Sequence, residues 1–242
     1  MKKILSKIAF TLFYAVIFAS CSVPKNSVRN LQRMEEGVSN PTTIEEYKAA
    51  IAKYERRVAD IETANEQIGI WYKILGSRYI DKNMYGEALK CYQKAIEYYP
   101  QNQNLYYYVG LCSGYMAKSA LDYDATGNFD KRHNYLRLSE AAYLRAIAID
   151  PRYVYALYGL GSLYVFEFDE SAKAIPYLET LLTINTGHVN AKMLLANAYY
   201  RTADFQKAAD MYDNIIAAAK DKEIKAIAEK NKKIVLDMAY VQ

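Results

Sequence analysis

The sequence predicts an all-α fold, a solenoid of about four stacked helix pairs with a further helix at each end. Three observations predict it. A pattern of large and small residues recurs along the chain with a period of about 34 residues, and a period of that length implies stacked supersecondary units. Apolar stripes spaced by three and four residues flank the repeated region, as in amphipathic helices. The composition, 52% hydrophobic with ten glycines and five prolines, suits a folded chain with few helix breakers. Tyrosine is the outlier, with 25 copies.

The elements follow in chain order. Residues 1–20 carry Lys2, Lys3 and Lys7, an apolar run from Ile8 to Phe18 and no acid, the layout of a secretory signal. The run ends in Phe18-Ala19-Ser20-Cys21, which resembles the cleavage box of a bacterial lipoprotein, although leucine is usual where Phe18 stands. That resemblance implies cleavage before Cys21 and lipidation of Cys21. Ser22, in place of aspartate, resembles an outer-membrane sorting signal, so the expected location is the cell envelope, on the outer membrane facing the periplasm. Residues 21–40 are polar and read as a flexible tether. Removing the leader takes three lysines and no acid, so the 31 basic and 27 acidic residues of the whole chain become nearly balanced. Nucleic acid is not an expected partner, because the one basic run, from Lys220 to Lys233, is interrupted by Asp221, Glu223 and Glu229.

Residues 41–68 predict an amphipathic helix. Thr43 and Glu46 have capping-box spacing after Pro41, and Ile44, Tyr47, Ile51, Tyr54, Val58 and Ile61 form a stripe. The stripe reads either as a lid over the first repeat or as a coiled-coil seam of fewer than three heptads.

The repeats occupy residues 69–220. In the first, 69–102, Tyr72, Leu75, Gly76 and Tyr79 on one helix are followed by Ala88, Tyr92, Ala95 and Pro100 on the next. The second, 105–152, supplies Tyr108, Leu111, Tyr115, Tyr143, Ala146 and Pro151, with Cys112 and Ser139 as replacements and an insertion at about 117–138. The third, 154–188, has Leu157, Leu160, Gly161, Tyr164, Ala174, Leu178 and Leu181, and the fourth, 189–220, has Leu195, Ala196, Tyr199, Ala208, Tyr212 and Ile215. Small residues let paired backbones approach and large ones fill the space beside them. This pattern resembles the tetratricopeptide (TPR) family, which implies a right-handed solenoid. Pro176, inside the third repeat's second helix, should kink that helix or delay its start. Residues 221–242 predict a capping helix that covers the last repeat through Ile224, Ile227, Ile234 and Leu236.

Cys91 and Cys112 lie within helical patterns and read as buried thiols rather than a disulfide pair. The insertion holds Asp122, Asp124, Gly127, Asn128 and Asp130, which begin like a calcium loop. Its twelfth position is His133 rather than a bidentate glutamate, so a solvated turn is the preferred reading. His133 and His188 are far apart and lack partners at metal-ligand spacing, and no phosphate loop or nucleophile elbow is present. No catalytic residue, cofactor or metal is expected.

The resemblance places function on the concave wall formed by the first helix of each pair. Projecting the family's groove positions gives Lys73 in the first repeat, Tyr106 and Met116 in the second, Tyr155, Tyr158 and Phe166 in the third, and Met193, Asn197, Tyr200 and Arg201 in the fourth. Ile70, Ser77, Ile80, Val109, Ser113, Ser162, Val165 and Asn190 complete the projection. The same positions serve equally as internal core if a helix folds into the groove. A clamp for a peptide carboxylate is not indicated, since Lys73 is followed by Ser77, and Asn197 is preceded by Met193. The expectation is a non-enzymatic scaffold or adaptor, anchored to a membrane by lipid, that binds a protein or peptide. A small-ligand or lipid-binding component of a transporter and a self-associating structural protein are the other two readings.

Overall fold

In the computed structural model, residues 43–121 and 129–240 are described. The leader, Cys21 and the tether lie outside those residues, as do Asp122, Asp124, Gly127 and Asn128 of the insertion. The chain divides into two compact units, residues 1–61 and 62–242.

In the first unit the described residues are the opening turns of α1 (Ile44–Asp81). Its start is the capping box that the sequence predicts: the Glu46 amide donates to Thr43 Oγ1 at 3.3 Å and the Thr43 amide donates to Glu46 Oε2 at 3.1 Å. No break separates a flanking helix from the first repeat at residues 68 and 69. Nothing between Ile44 and Asp81 terminates the helix, and its two glycines are filled by neighbours. A Cβ on Gly69 would lie 2.6 Å from the Tyr99 ring, and one on Gly76 2.9 Å from the Tyr92 ring.

The second unit is the solenoid. The last turns of α1 pair with α2 (Tyr85–Tyr98), α3 (Gln103–Leu121) with α4 (Phe129–Ile149), α5 (Val154–Phe166) with α6 (Ser171–Ile184), and α7 (Val189–Arg201) with α8 (Phe205–Ala218); α9 (Lys222–Ala239) closes the stack. From α2 onward each helix packs on the next, and the first helices also touch one another, α3 with α5 and α5 with α7. Second-helix consensus residues form the spine: Ala88, Tyr92, Ala95, Ser139, Tyr143, Ala146, Ala174, Leu178, Leu181, Ala208, Tyr212 and Ile215 are all buried. Tyr143 acts as a wedge between two pairs, because a Cβ on Gly110 of α3 would lie 2.6 Å from its ring and one on Gly159 of α5 2.7 Å from it. Ser139, where alanine is usual, donates from Oγ to the Gly110 carbonyl at 2.7 Å, so its hydroxyl is satisfied within the core.

The turn between first and second helices is built alike in three repeats. Asn83, Asp169 and Ala203 all adopt left-handed backbone, with φ of 58°, 55° and 61°. Pro176 does not delay α6, which begins at Ser171. Cys91 and Cys112 are free and buried, as expected.

Two sequence expectations change, and the insertion takes a definite place. Leu75, expected to pack, is 43% exposed, because no helix pair precedes the first repeat among the described residues. The insertion does not simply leave the stack: it lengthens α3 and α4 to 19 and 21 residues against 13 and 14 in the next pair. The lengthened part leans on the third repeat, with Ala117 and Leu136 buried, Arg132 on Glu167 at 2.5 Å and the Arg137 guanidinium 5.1 Å over the Phe168 ring. Finally, α9 docks through Ala228 and Val235, both buried, with Ile224 half-buried, while Ile227, Ile234 and Leu236 face solvent.

Candidate protein-binding groove

The inner wall is built by α3, α5 and α7. Along α3 the side facing the next repeat presents Tyr107, Leu111, Gly114 and Lys118; along α5 the side facing back presents Tyr155, Gly159, Ser162 and Phe166. Both sets follow the same helical interval, so they stand opposite one another. Between them lies a cleft of about 250 Å³ lined by Leu111, Gly114, Tyr115 and Lys118 of α3, Ser139 and Tyr143 of α4, and Gly159, Ser162, Leu163, Phe166 and Glu167 at α5. Gly114 leaves the space, since a Cβ there would meet only Ser139 Oγ at 3.8 Å, and Tyr143, seated against Gly159, forms part of the floor. The lining mixes apolar side chains with the hydroxyls of Ser139, Ser162 and Tyr115, and at the Phe166 end stand Lys118 and Glu167, the latter already paired with Arg132.

At the other end stands a tyrosine cluster. The Tyr107 ring lies 5.7 Å from Tyr155 and 6.0 Å from Tyr153, and Tyr153 donates to Asn104 Oδ1 at 2.6 Å. Burial raises the pKa values of Tyr107, Tyr143 and Tyr153 above the ordinary tyrosine value, with neighbouring tyrosines adding to the effect. These phenols therefore stay neutral and act as donors and apolar surface. Burial likewise pushes the Cys112 thiol up to about 12, which leaves it protonated and unreactive.

The projected groove residues separate into three groups. Tyr155 and Phe166 stand clear of the wall, at 63% and 57% exposure, and Lys73 and Arg201 are exposed as well. Tyr106, Met116, Tyr158, Met193, Asn197 and Tyr200 are half-buried. Tyr106 lies beneath the Arg145 guanidinium at 5.8 Å and donates to the Pro100 carbonyl; Met116 faces Gly86; Tyr158 stacks near His188 at 5.3 Å; Tyr200 packs beside Phe205 at 5.9 Å. Arg201 binds Asn197 Oδ1 at 3.0 Å and Asp169 at 2.7 Å. Val109, Ser113 and Val165 are core, so at these positions internal packing is the outcome. The projection misses Leu111, Gly114, Tyr115, Lys118, Gly159 and Glu167. The repeat pattern assigns Leu111 and Tyr115 to packing, and the missing signal is the flank of α3 one step round from the family's groove positions.

Each histidine has a local partner. His188 caps α7, its Nδ1 accepting from the Ala191 amide at 3.1 Å, and His133 accepts from Arg137 Nε at 3.3 Å. Among the described residues, no group of histidine, cysteine or acidic side chains could hold a metal ion, and no helix is long and apolar enough to cross a membrane.

Stacked antiparallel helix pairs with small residues at the crossings, left-handed turns within pairs and a continuous inner wall define an α-solenoid of helical hairpin repeats. Residues 76–112 match the TPR repeat family and residues 166–230 a second tetratricopeptide repeat family. A TPR repeat-containing protein of Borreliella burgdorferi is 25% identical over 224 residues, spanning 90% of this chain and 95% of the relative. Among solved structures, a thermophilic TPR protein of Thermus thermophilus superposes with a TM-score of 0.55 at 18% identity, over 77% of this chain and 91% of that one. YrrB, a TPR protein with an unusual peptide-binding site, superposes with a TM-score of 0.53 at 19% identity, over 85% and 88% of the two chains. The chain is a tetratricopeptide repeat protein, and such repeats mediate protein–protein interaction.

Proposed function

We propose that this protein is a lipid-anchored adaptor of the bacterial cell envelope that holds an extended segment of a protein partner against its inner wall. The observation that carries the reading is the cleft between α3 and α5, with exposed Tyr155 and Phe166 on its α5 side. Aromatic rings bury large area at small entropic cost and dominate the energetics of many interfaces. The lining combines apolar surface with serine hydroxyls and the single cation Lys118 beside the Arg132–Glu167 pair, which favours a peptide with mixed side chains over a polyanion. Lipidation of Cys21 and a tether over residues 21–40 would supply location, and the resemblance of Ser22 to an outer-membrane sorting signal supports attachment there facing the periplasm.

Crosslinking in intact cells, comparing wild type with a Tyr155→Ala, Phe166→Ala variant, tests the groove. Both side chains stand mostly in solvent, so the variant is expected to fold and to lose the partners that wild type captures. Unchanged capture by the folded variant would exclude the inner wall as the binding face. Cys21→Ser is expected to release the protein from the membrane fraction, and a variant that stays fully bound overturns the anchor.

A further inference from the structure

The face of α1 has a regularity that neither the repeats nor the groove uses. Written as heptads, the helix places Ile44, Ile51, Val58 and Asn65 at the first core position and Tyr47, Tyr54, Ile61 and Ile68 at the fourth. The sequence stripe alone ends at Ile61 and is short for an independent coil. Because α1 runs unbroken to Asp81, the same register continues through Asn65 to Ile68, which makes about three and a half heptads, within the range at which a two-stranded coil becomes reasonable. Ile44, Ile51, Val58 and Ile61 are each more than half exposed, and Ile68 is 39% exposed. An exposed face carrying five aliphatic side chains is costly to leave in water. Beyond Ile68 the first-position residues leave the surface, because Tyr72 and Tyr79 pack into the first repeat, while Leu75 at the fourth position stays 43% exposed.

From this face we infer that α1 is a dimerisation helix and that its occupant is a second copy of this chain, wound parallel and in register over residues 44–68. Two features select that occupant. The single polar core residue, Asn65, meets its own copy only when the chains are parallel and unshifted, and one asparagine at that position fixes register and strand number. The flanking charges agree: in a parallel pair Arg57 of one chain lies beside Glu62 of the other, and symmetry makes that contact twice. Antiparallel strands would separate the two asparagines from one another and remove both charge contacts. Dimerisation through α1 is independent of the groove, and a parallel pair leaves both amino ends on one side, as two membrane anchors require.

The test uses the full chain extracted from membranes in mild detergent. Light scattering is expected to give a protein mass twice that of one chain. An Ile51→Asp, Ile61→Asp variant is expected to give the mass of one chain while keeping the unfolding temperature of the repeats, whose core excludes both residues. Orientation is read by oxidative crosslinking: Ile51→Cys, at a core position away from the middle of the seam, should form an interchain disulfide only in a parallel pair, whereas Arg56→Cys, on the opposite side of α1, should not. A single-chain mass for wild type overturns the inference, and so does equal crosslinking at the two positions. A dimer that persists in the double aspartate variant would place self-association elsewhere and equally overturn it.

Discussion

At the scale of single residues, the fold is set by what each turn and crossing will accept. Asn83 and Asp169 occupy left-handed turns that short polar side chains tolerate, since they hydrogen-bond locally. Ala203 has the same backbone, φ 61°, with no such compensation. Its Cβ crowds the neighbouring carbonyl, a cost of about 1–2 kcal/mol for an ordinary residue, of which glycine's greater freedom in the unfolded chain returns a part. Ala203→Gly is therefore expected to stabilise the protein by up to about 1 kcal/mol, read as a higher midpoint in urea with an unchanged slope. A lower midpoint would mean that the turn is not strained. The turns at Asp169 and Ala203 are not legible in the sequence, because a residue's identity does not disclose a positive φ unless glycine or asparagine marks it, as Asn83 does in the first repeat. Tyr143 is legible as a packing residue, but its second contact, through Gly159 of the following pair, is not. The sequence pattern places Tyr143 within its own repeat and says nothing of a glycine in the next.

At the scale of elements, the helices themselves are the readable part, because each carries its consensus at fixed offsets, and the capping box at Thr43 marks the start of α1. Which face a helix buries is less readable where the repeat pattern ends. For α9 the largest apolar residues, Ile227, Ile234 and Leu236, suggest the docking face, yet the helix meets α8 through Ala228 and Val235. The geometry explains the choice. Ala228 lets the backbone of α9 come close, Val235 lies two turns further along the same face, and Lys232 on the flank reaches Asp213 of α8 at 2.6 Å. A stripe of isoleucines is the stronger hydrophobic signal, but close approach requires a small residue at the crossing, and size outweighs hydropathy there. Paired substitutions distinguish the faces. Val235→Ala is expected to cost about 2 kcal/mol, since it empties a buried site, while Ile234→Ala, on a side chain 45% exposed, is expected to stay within about 0.5 kcal/mol. Chemical denaturation of the two variants checks the order, and a reversed order would place Ile234 in the docking face.

At the scale of the whole molecule, tyrosine takes the place that aliphatic residues hold in most cores, and this links stability to pH across several repeats at once. Tyr92, Tyr143, Tyr164 and Tyr199 are buried in successive repeats, and burial raises the pKa of each above the ordinary value of 10.0. For Tyr164 and Tyr199 a second cause adds to burial, since each phenol donates to a carboxylate, Glu140 at 2.9 Å and Glu179 at 2.6 Å, an arrangement that only the protonated phenol sustains. The folded state therefore holds these protons more tightly than the unfolded chain does. Wherever the unfolded chain binds fewer protons, stability falls as pH rises. Below about pH 10 both states are protonated and the contribution is fully present; above it the unfolded chain ionises first, and the contribution is lost progressively towards the raised folded-state values. Because all four tyrosines shift in the same direction and each joins helices of its own pair or the next, their losses should fall together, giving a cooperative alkaline unfolding rather than fraying of one end. Tyrosinate absorbance and far-ultraviolet circular dichroism followed over the same alkaline titration check this. The buried fraction of the tyrosinate signal is expected to appear above about pH 10 and to coincide with loss of helix; buried phenols that ionise at the ordinary value with the helices intact would show that the tyrosines do not couple proton binding to the stack.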